Sequence, residues 1–469
     1  MKPVAPFAVA LLLAPACDPS AEDLASPVQQ AVHDRTIRIG VLIDDASPAK
    51  ANFTAAAALA ERQINEGLTA AHSDFAVDVI IGYYGGATGK TQATRTIDLV
   101  NVDRIDGVVS DVSGAPGGPG GTVAVNRLNY ETPSQLVHKI PVTCYQCSSA
   151  FFNDPTQTDL GFADPDNWLW RTFFNATFES AVQVQLVFNR PNAGDFNGDG
   201  RTKIVIYYDT GHLSAATTMP GLMDAIYGAR PHAVERIQKM LPGDASTRAA
   251  ELAKIFDAHN DTTGMDDGLP DAVYLAFLPA NIPQALGDYS GHPQSPKPPA
   301  TANNGGRRDF LLATLLANGG EGLEGNSVLV AADSPSGDAF LASYRAANGN
   351  ANPELTGSYL YDAIAAQALA GLIAADDCLT PERMRDALGR INRPQGTVVR
   401  ASAAGFQEAA KLIRRKRAIN YDGASSPLDL TASGEMYPDL VHWKIQGGQF
   451  VELESYRCDP ANPNCVVRP

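Results

Sequence analysis

Short β-branched runs and longer amphipathic stretches follow one another in a regular order through the first third of the chain. "IRIGVLI" at 37–43 is a continuous apolar run that predicts a buried strand, and the Ala-rich stretch at 49–67 predicts a helix ended by Gly67. "FAVDVIIGYY", "IDGVVS" and "KIPVTCY" predict three further strands, each separated from the next by a helical pattern. This order is typical of a parallel sheet with helices on both faces.

A second unit of the same kind follows. "FESAVQVQLVFNR" predicts a helix, "TKIVIYYD" a strand, "MPGLMDAIYGA" a helix and "VERIQKML" a strand region, before the helix-strand pair "TRAAELAKIFDAH" and "DAVYLAFL". Two such units predict two lobes, and in open parallel sheets ligands bind at the carboxyl ends of the strands. Residues 287–306 are rich in Pro, Gly, Ser and Asn, which indicates an exposed insertion.

"YYGGATGKTQ" at 83–92 is a Gly-rich turn that superficially matches the phosphate-binding loop of an ATPase. That loop needs four residues between its first Gly and the Gly-Lys-Ser/Thr group. Counting back from Gly89 and Lys90 places Tyr84 where the first Gly should be, and a start at Gly85 leaves the loop one residue short. We therefore predict a connector that binds no nucleotide.

The amino-terminal sequence, "MKPVAPFAVALLLAPAC", has one Lys, an apolar stretch too short for a permanent membrane span, and small residues before Cys17. It predicts a secretory signal over residues 1–17 and resembles a bacterial lipoprotein signal, in which the Cys becomes the lipidated N-terminus. Ala14 replaces the usual Leu of that signal, so ordinary cleavage nearby is the alternative. Residues 18–35 are polar and predict a linker. We expect a periplasmic protein, attached to the membrane by lipid at Cys17.

Composition and charge narrow the classes of partner. The chain has 469 residues, 44% of them hydrophobic, and a formal net charge of −16, which repels phosphate groups and argues against nucleic acid or anionic lipid as a partner. Neither H-E-x-x-H nor G-x-S-x-G occurs, so we predict a protein that is not an enzyme and holds no metal or cofactor.

"DFNGDGR" at 195–201 resembles the first half of a calcium-binding loop, with Asp, Asn and Asp at alternate positions before a Gly. The closing acidic residue is missing, because the twelfth position is Ile206. The two interpretations are an incomplete cation loop and a plain Asn/Asp/Gly turn, and the sequence favours the turn.

The cysteines are Cys17, Cys144, Cys147, Cys378, Cys458 and Cys465. In an oxidising compartment Cys458 and Cys465 are predicted to close a small loop in a C-terminal tail, residues 458–469. Cys144 and Cys147 form a C-x-x-C in a polar loop, which favours a structural disulfide or two unpaired thiols over a thioredoxin-type redox site. If Cys17 carries lipid, Cys378 is the candidate for the cysteine left over.

Several stretches resemble, in order, segments of type I periplasmic binding proteins of the branched-chain amino-acid and amide group. "IRIGVLIDD", "IDGVVSDVSG" and "IPVTCYQCSSA" resemble strands of that family's first lobe, and "WLWRTFFNATFESAVQV" resembles its first crossover between lobes. "GLEGNSVLVAADSPSGDAFLASYRAANG" resembles the second crossover, and "SYLYDAIAAQALAGLIA" the long helix that follows. "INYDGASSPLDLTASGEMYPDLVHWKIQGGQFVEL" resembles the closing segment.

The resemblance implies an α/β fold of two Rossmann-like lobes joined by three crossover strands. Lobe 1 would comprise residues 36–172 and 338–440, and lobe 2 residues 173–337 and 441–457. It also implies a monomer that closes over a small polar ligand, of amino-acid, amide or carboxylate type, and delivers it to an inner-membrane ABC permease. The alternative is a lipid-anchored sensor or carrier of the same fold that works without a permease and binds a ligand other than an amino acid, including an apolar one.

The family binds its ligand's carboxylate with a Ser after strand three and a Thr after strand four, which implies a set of ligand-binding residues here. From lobe 1 the matching or neighbouring positions are Ser110, Ser113, Ser148 and Ser149. From lobe 2 and the crossover the expected liners are Phe174, Asn175, Asp209, His212 and Phe277. The family's acidic partner for an α-ammonium group is absent from "FLLATLLANGG", so Asp111 or Asp209 would have to take that role.

Overall fold

The computed structural model describes residues 35–112, 121–149, 164–209, 213–238, 245–256, 269–375, 379–437, 439–459 and 462–467. Its strands are β1 (Thr36–Asp44), β2 (Ala76–Tyr84), β3 (Gly107–Val112), β4 (Val142–Gln146), β5 (Leu169–Arg171), β6 (Thr202–Tyr208), β7 (His232–Gln238), β8 (Ala272–Ala276), β9 (Ala300–Ala302), β10 (Glu324–Val328), β11 (Thr397–Arg400), β12 (Ile419–Asp422), β13 (Asp439–Gln446), β14 (Gln449–Asp459) and β15 (Asn462–Val467). Its helices are α1 (Lys50–Ala70), α2 (Gln92–Asp98), α3 (Gly121–Arg127), α4 (Ala176–Phe188), α5 (Leu213–Tyr227), α6 (Ala245–Ile255), α7 (Ile282–Gly291), α8 (Leu312–Ala317), α9 (Pro335–Ala347), α10 (Gly357–Ala375), α11 (Pro381–Leu388) and α12 (Ala403–Arg414).

Lobe 1 is built on a parallel sheet of strand order β2-β1-β3-β4-β5. Successive side chains of a strand point to opposite faces, and the apolar run of β1 therefore serves two cores. Ile39 and Val41 pack in the core that contains α1, α10 and α12, whereas Leu42 packs with residues of α3 on the other face. This double burial explains why β1 is a continuous apolar run.

Helix α10 is the central helix of lobe 1. Among the described residues it is the one helix long and apolar enough to cross a membrane, and 89% of its apolar stretch is buried inside the protein. It packs against α1, α11 and three strands of the sheet, so its apolar surface is explained by the core.

Lobe 2 is built on a sheet of strand order β15-β14-β13-β10-β9-β8-β6-β7. The strands from β10 to β7 are parallel, and β13, β14 and β15 add antiparallel strands at one edge. The described part of the predicted C-terminal tail, residues 458–459 and 462–467, thus belongs to this edge, where a disulfide joins Cys458 to Cys465.

The interpretation of residues 287–306 as an exposed insertion is wrong for its second half. Strand β9 lies inside the sheet between β8 and β10, and Thr301 and Asn303 are almost fully buried. The Asn- and Gly-rich composition instead provides a tight buried turn, in which the Asn304 backbone N–H donates to Glu179 Oε1 (2.7 Å). Composition alone cannot distinguish a solvated loop from a polar turn whose groups are satisfied inside the protein.

Three connections join the lobes: residues 172–175 after β5, residues 329–334 after β10, and residues 423–437 between β12 and β13. They are tied to one another. Arg171, at the start of the first, forms an ion pair with Glu435 of the third, and the Ala332 N–H of the second donates to the Ala424 carbonyl (2.7 Å). The predicted pair of α/β lobes joined by three crossovers is confirmed.

The third connection is anchored to lobe 1 by Asp362 of α10. The carboxylate accepts from the Tyr421 hydroxyl (2.8 Å), the Ala424 N–H (2.8 Å), and both the N–H and the hydroxyl of Ser425 (2.7 and 2.5 Å). Burial raises the pKa of Asp362 to about 6, and these hydrogen bonds oppose the shift. Gly423 is required because a Cβ there would lie 2.6 Å from the carboxylate.

Candidate ligand-binding cleft

The carboxyl ends of the lobe 1 strands lie together at the edge of the sheet where the sequence predicts the ligand-binding cleft. Because the strands are parallel, their ends lie side by side: Asp44 of β1 is opposite Tyr84 of β2, and Val112 of β3 is opposite Gln146 of β4. The turn after β2, which contains Lys90, is a connector. Lys90 pairs with Asp98 (2.6 Å), and Thr91 caps α2 by accepting from the Thr94 N–H.

Asp111 is the buried acid at this edge. Its Oδ2 accepts from the Tyr84 hydroxyl (2.8 Å), and that hydroxyl also accepts from the Gln92 amide (3.2 Å). Its Oδ1 is buried and, among the described residues, has no hydrogen-bond partner of good geometry. Burial raises the pKa of Asp111 to about 7; the Tyr84 hydroxyl opposes the shift, the Asp44 charge adds to it, and the Tyr145 hydroxyl and Arg308 charge oppose it.

Arg308 brings a lobe 2 cation to the same place. It follows β9 in lobe 2, and its Nη1 donates to Oε1 of Glu354 (2.9 Å), which lies between α9 and α10 of lobe 1. Both side chains are about as buried as the core, at 7% and 6% exposure. The pair therefore joins the two lobes directly, while Arg308 Nε has no hydrogen-bond partner in the part of the chain that the structure describes.

The loop after β4 is held by its backbone. Arg171 Nη1 donates to the Ser149 carbonyl (2.7 Å), and the Ala176 N–H donates to the Ser148 carbonyl (2.6 Å). Ser149 is mostly buried and Ser148 half-buried. A disulfide joins Cys144 to Cys147 below this loop. The two serines thus lie at the lobe 1 edge, next to the first crossover.

Ser110 lies inside the lobe. Its side chain is fully buried, and its hydroxyl is 2.7 Å from that of Thr122 in α3. It belongs to the packing between the sheet and α3, because alternate residues of β3 face opposite sides of the sheet. Ser113, another ligand-binding residue expected from the resemblance, lies outside the described residues.

Two expected aromatic liners lie in cores. Phe174 is fully buried and packs on Phe173, with ring centroids 4.5 Å apart. Phe277 is also fully buried, in edge-to-face contact with Tyr207 (5.1 Å). Neither ring is therefore exposed to a ligand in this structure. Asn175 caps α4: its Oδ1 accepts from the Thr177 N–H (2.9 Å).

On the lobe 2 edge, Asp209 follows β6 and organises the loop after β8. Its Oδ2 accepts from the Leu278 N–H and the Asn281 amide, both at 3.3 Å. Three large apolar side chains are partly exposed: Leu278 on lobe 2 (47%), Val112 on lobe 1 (44%) and Phe310 on lobe 2 (41%). His212 lies outside the described residues, as do Cys17 and Cys378.

The "DFNGDGR" turn uses its oxygens for its own backbone. Asp195 accepts from the N–H groups of Gly198 (2.6 Å) and Gly200 (3.0 Å), and Asn197 Oδ1 accepts from the Asp199 N–H (2.9 Å). Within the described ranges no group of three or more His, Cys, Asp or Glu is placed to hold a metal ion. These contacts are those of a plain turn.

Tyr84, Tyr145, Arg308 and Glu354 were not expected at the site. Tyr84 and Tyr145 are end residues of strands that the sequence does predict, so their place at the edge could have been inferred. Arg308 could not, because it follows a segment interpreted as an exposed insertion.

The sequence matches no protein-family model and shows no significant similarity to a curated protein. Solved structures do match. The leucine-binding protein LivK of Thermotoga maritima is 14% identical with a TM-score of 0.60, over 91% of this chain and 99% of that one.

Two further structures show the same fold. An ABC-transporter solute-binding protein of R. palustris, solved with benzoate, is 14% identical with a TM-score of 0.58, over 89% of this chain and 95% of that one. The substrate-binding protein LivJ of Streptococcus pneumoniae, solved with isoleucine, is 16% identical with a TM-score of 0.54, over 89% and 100%. The chain therefore has the type I periplasmic binding protein fold.

Proposed function

We propose that this protein is an extracytoplasmic solute-binding protein that closes its two lobes over a small polar ligand. The observation that carries the proposal is the meeting of Asp111 and Tyr145 from lobe 1 with Arg308 from lobe 2 at a buried interface. The described contacts leave one polar atom of each without a hydrogen bond of good geometry: Asp111 Oδ1, Tyr145 Oη and Arg308 Nε. Buried polar atoms are costly to leave unpaired, so a bound ligand would stabilise this arrangement.

The chemistry of these atoms describes a ligand class. A hydrogen-bond donor on the ligand would satisfy Asp111, and an acceptor would satisfy Arg308 and Tyr145. Amino acids, amides and hydroxylated carboxylic acids offer both. Exposed apolar side chains at the strand ends and on lobe 2, such as Leu278 and Phe310, suit a ligand that also has an apolar part.

A thermal-shift screen of the mature protein tests this class. Aliphatic and aromatic carboxylates, amino acids and amides are compared at the same concentration; a ligand at a hundredfold its dissociation constant adds about 2.7 kcal/mol to the free energy of unfolding. Asp111→Asn and Ser149→Ala should each weaken the best ligand about tenfold, or about 1.4 kcal/mol. Ser110→Ala is the matched control and should leave the affinity unchanged. Unchanged affinity in both cleft variants would reject the cleft assignment.

The pH dependence of binding distinguishes two ligand types. A ligand ammonium group would pair with ionised Asp111, so affinity should rise as the pH passes about 7. A ligand carboxylate that accepts from protonated Asp111 should bind more tightly below that pH. Calorimetry between pH 5 and 8, on wild type and Asp111→Asn, separates them because only the wild type should show the transition.

Closure is tested at the interlobe ion pair. Glu354→Gln leaves the buried Arg308 charge without its partner, and opening the lobes would return that charge to water. We expect a larger radius of gyration by small-angle scattering, reversed by a tight ligand. Glu382→Gln, an exposed change on α11 of lobe 1, is the charge-matched control. Equal radii in all three proteins would contradict a lobe-closing role for the pair.

Delivery to an ABC permease and attachment at Cys17 are the finer parts of the proposal. The similar structure from R. palustris is an ABC-transporter solute-binding protein, and that from S. pneumoniae is a substrate-binding protein of a branched-chain amino acid transporter; both support a permease as the partner. The wild type should incorporate labelled fatty acid, and the Cys17→Ser variant should not. Uptake of the best ligand should be lost when the gene is deleted; uptake that persists would favour the sensor or carrier role.

A further inference from the structure

A pocket of about 260 Å³ on lobe 1 is separate from the cleft. Four basic residues line it: Arg390, Arg393, Lys416 and Arg417. Its walls also include Ile373 of α10, which is 9% exposed. The pocket therefore combines a partly apolar wall with cationic side chains.

The pocket lies at the amino edge of the lobe 1 sheet. A Cβ at Gly371 would lie 2.8 Å from the Ile37 side chain, which places the end of α10 beside the start of β1. The Arg414 guanidinium, at the end of α12, donates to the carbonyl of Ala71 (3.2 Å), just before β2. Since the cleft lies at the carboxyl edge, the pocket is at the opposite end of the lobe.

Positive charge is concentrated in this part of an acidic protein. Residues 390–417 contain eight Arg or Lys residues and one acidic residue, Glu408, in a chain with a net charge of −16. The side chains of Arg390, Arg393 and Arg417 form no ion pair or hydrogen bond with another residue that the structure describes. Three guanidinium groups around one pocket repel each other, and a bound anion would offset that repulsion.

The backbone conformation of Lys416 is a further sign that positive charge is placed at this pocket. This residue has a left-handed conformation (φ 56°) at the end of α12, where Gly is the usual residue because it has no Cβ. Its N–H donates to the Ile413 carbonyl and that of Arg417 to the Leu412 carbonyl, which closes the helix. A strained Lys at a position that favours Gly places a further cation at the pocket.

We propose that this pocket binds a phosphate group. The planar fork of Arg matches phosphate oxygens in bidentate hydrogen bonds, and several arginines together favour a dianion over a simple carboxylate. The net negative charge of the protein does not prevent this, because charges farther than the Debye length of about 8 Å are largely screened. The phosphate comes either from a soluble phosphate compound or from a phospholipid headgroup.

The position of the pocket relative to the amino-terminal end of lobe 1 favours a phospholipid headgroup as the source of the phosphate. The described chain begins at Arg35, directly before β1, so the polypeptide enters lobe 1 at the edge that holds the pocket. Residues 18–34, fully extended, span at most about 60 Å. If Cys17 is lipidated, this end of lobe 1 is held near the membrane surface.

The soluble source is tested by calorimetry of the mature protein with pyrophosphate and with inorganic phosphate at low salt. The triple variant Arg390→Gln, Arg393→Gln, Arg417→Gln should weaken binding at least about tenfold, since it removes the charge-assisted hydrogen bonds. The control triple Arg383→Gln, Arg400→Gln, Arg415→Gln changes the net charge equally at exposed positions of the same lobe. It should keep the affinity within about twofold if the site is local.

The headgroup source is tested by co-sedimentation of the same three proteins with vesicles of phosphatidylcholine, with and without phosphatidylglycerol. Binding that needs phosphatidylglycerol and is lost only in the pocket triple supports the proposal and identifies the headgroup as the source. Binding of pyrophosphate alone supports it with a soluble source. The proposal is overturned if neither probe binds the wild type, or if both triples lose binding equally. Affinity for the cleft ligand should be the same in all three proteins, so the outcome is independent of the cleft assignment.

Discussion

Asp111 and Asp362 are both buried carboxyl groups of lobe 1, and they differ in how many donors reach them. Asp362 accepts four hydrogen bonds from the third crossover and its approach. Among the described residues, Asp111 accepts one hydrogen bond of good geometry, from Tyr84 to its Oδ2, and none of good geometry at its Oδ1. A carboxylate saturated by four donors fixes the chain around it, whereas one with fewer well-placed donors can also accept from a ligand.

The two groups also lie at different places in the clamp. Asp362 ties the third crossover to α10, the helix that runs through the core of lobe 1. Asp111 lies at the carboxyl edge of the sheet, near Arg308 of lobe 2. Their difference separates a residue that maintains the connection between lobes from one that we propose contacts the ligand.

The largest expected effect is on the stability of the Asp362 site. Asp362→Asn places an amide N–H₂ group among four donors, so at least one donor loses its acceptor. We expect a loss of about 3 kcal/mol in the free energy of unfolding, measured by urea denaturation at pH 7. Asp111→Asn should change it by less than about 1 kcal/mol, since it removes a poorly satisfied buried charge. Equal losses would remove the distinction.

The second prediction is a pH dependence that belongs to Asp111. The folded protein keeps this carboxyl protonated up to about pH 7, whereas the unfolded chain ionises near its usual value of 3.8. Between pH 3.8 and about 7, unfolding therefore releases a proton from Asp111. Because of this release, the free energy of unfolding falls as the pH rises.

The measurement is the free energy of unfolding of the wild type minus that of Asp111→Asn, at several pH values from 4.5 to 6.5. This difference should fall by up to about 1.4 kcal/mol per pH unit. The subtraction cancels contributions from other buried acids, such as Asp362. A flat difference would mean that Asp111 is ionised in the folded protein.

The third prediction compares adjacent serines that are equally buried, at 3% exposure each. The Ser425 hydroxyl donates to Asp362, whereas the Ser426 hydroxyl has no hydrogen-bond partner among the residues that the structure describes. Ser425→Ala should cost about 1–2 kcal/mol, and Ser426→Ala should be neutral or slightly stabilising. Thermal unfolding of both variants at pH 7 checks this; a larger loss at Ser426 would contradict the saturation of Asp362 described above.

The smallest effect is expected at Tyr84. Tyr84→Phe removes the hydroxyl that donates to Asp111, and this hydrogen bond favours the ionised carboxylate. The pKa of Asp111 should rise, so the transition in ligand affinity should move to higher pH while the fold is kept. Calorimetry at pH steps across 6–8 detects the shift. An unchanged pH midpoint of ligand affinity would mean that Tyr84 does not influence the ionisation of Asp111 during binding.

Much of the fold was predictable because its signals are local. The apolar run at 37–43 is buried on both faces of a parallel sheet, and no other environment suits it as well. The Cys458–Cys465 disulfide was also predictable, because the two cysteines are only seven residues apart in the sequence. The Asn-Gly turn after β9 was misjudged, because a satisfied buried turn and a solvated loop have the same composition.

The site was predicted less well than the fold. Ser148 and Ser149 are at the lobe 1 edge, and Asp111 was named as a candidate partner for a ligand cation. Phe174, Phe277 and Ser110 are in the interior, since a residue's position after a strand does not fix the direction of its side chain. Two cleft expectations, Ser113 and His212, lie outside the described residues and stay predictions.

By itself, the sequence determined which segments are strands and helices and that they alternate into two α/β units, because hydrophobic periodicity acts over a few residues. Only the tertiary structure decided which distant charges meet. Arg308 and Glu354 form one buried pair across two lobes, and Asp111 shares its surroundings with Tyr84 and Tyr145. These contacts depend on the crossing of three connections, and burial then sets the properties of each group.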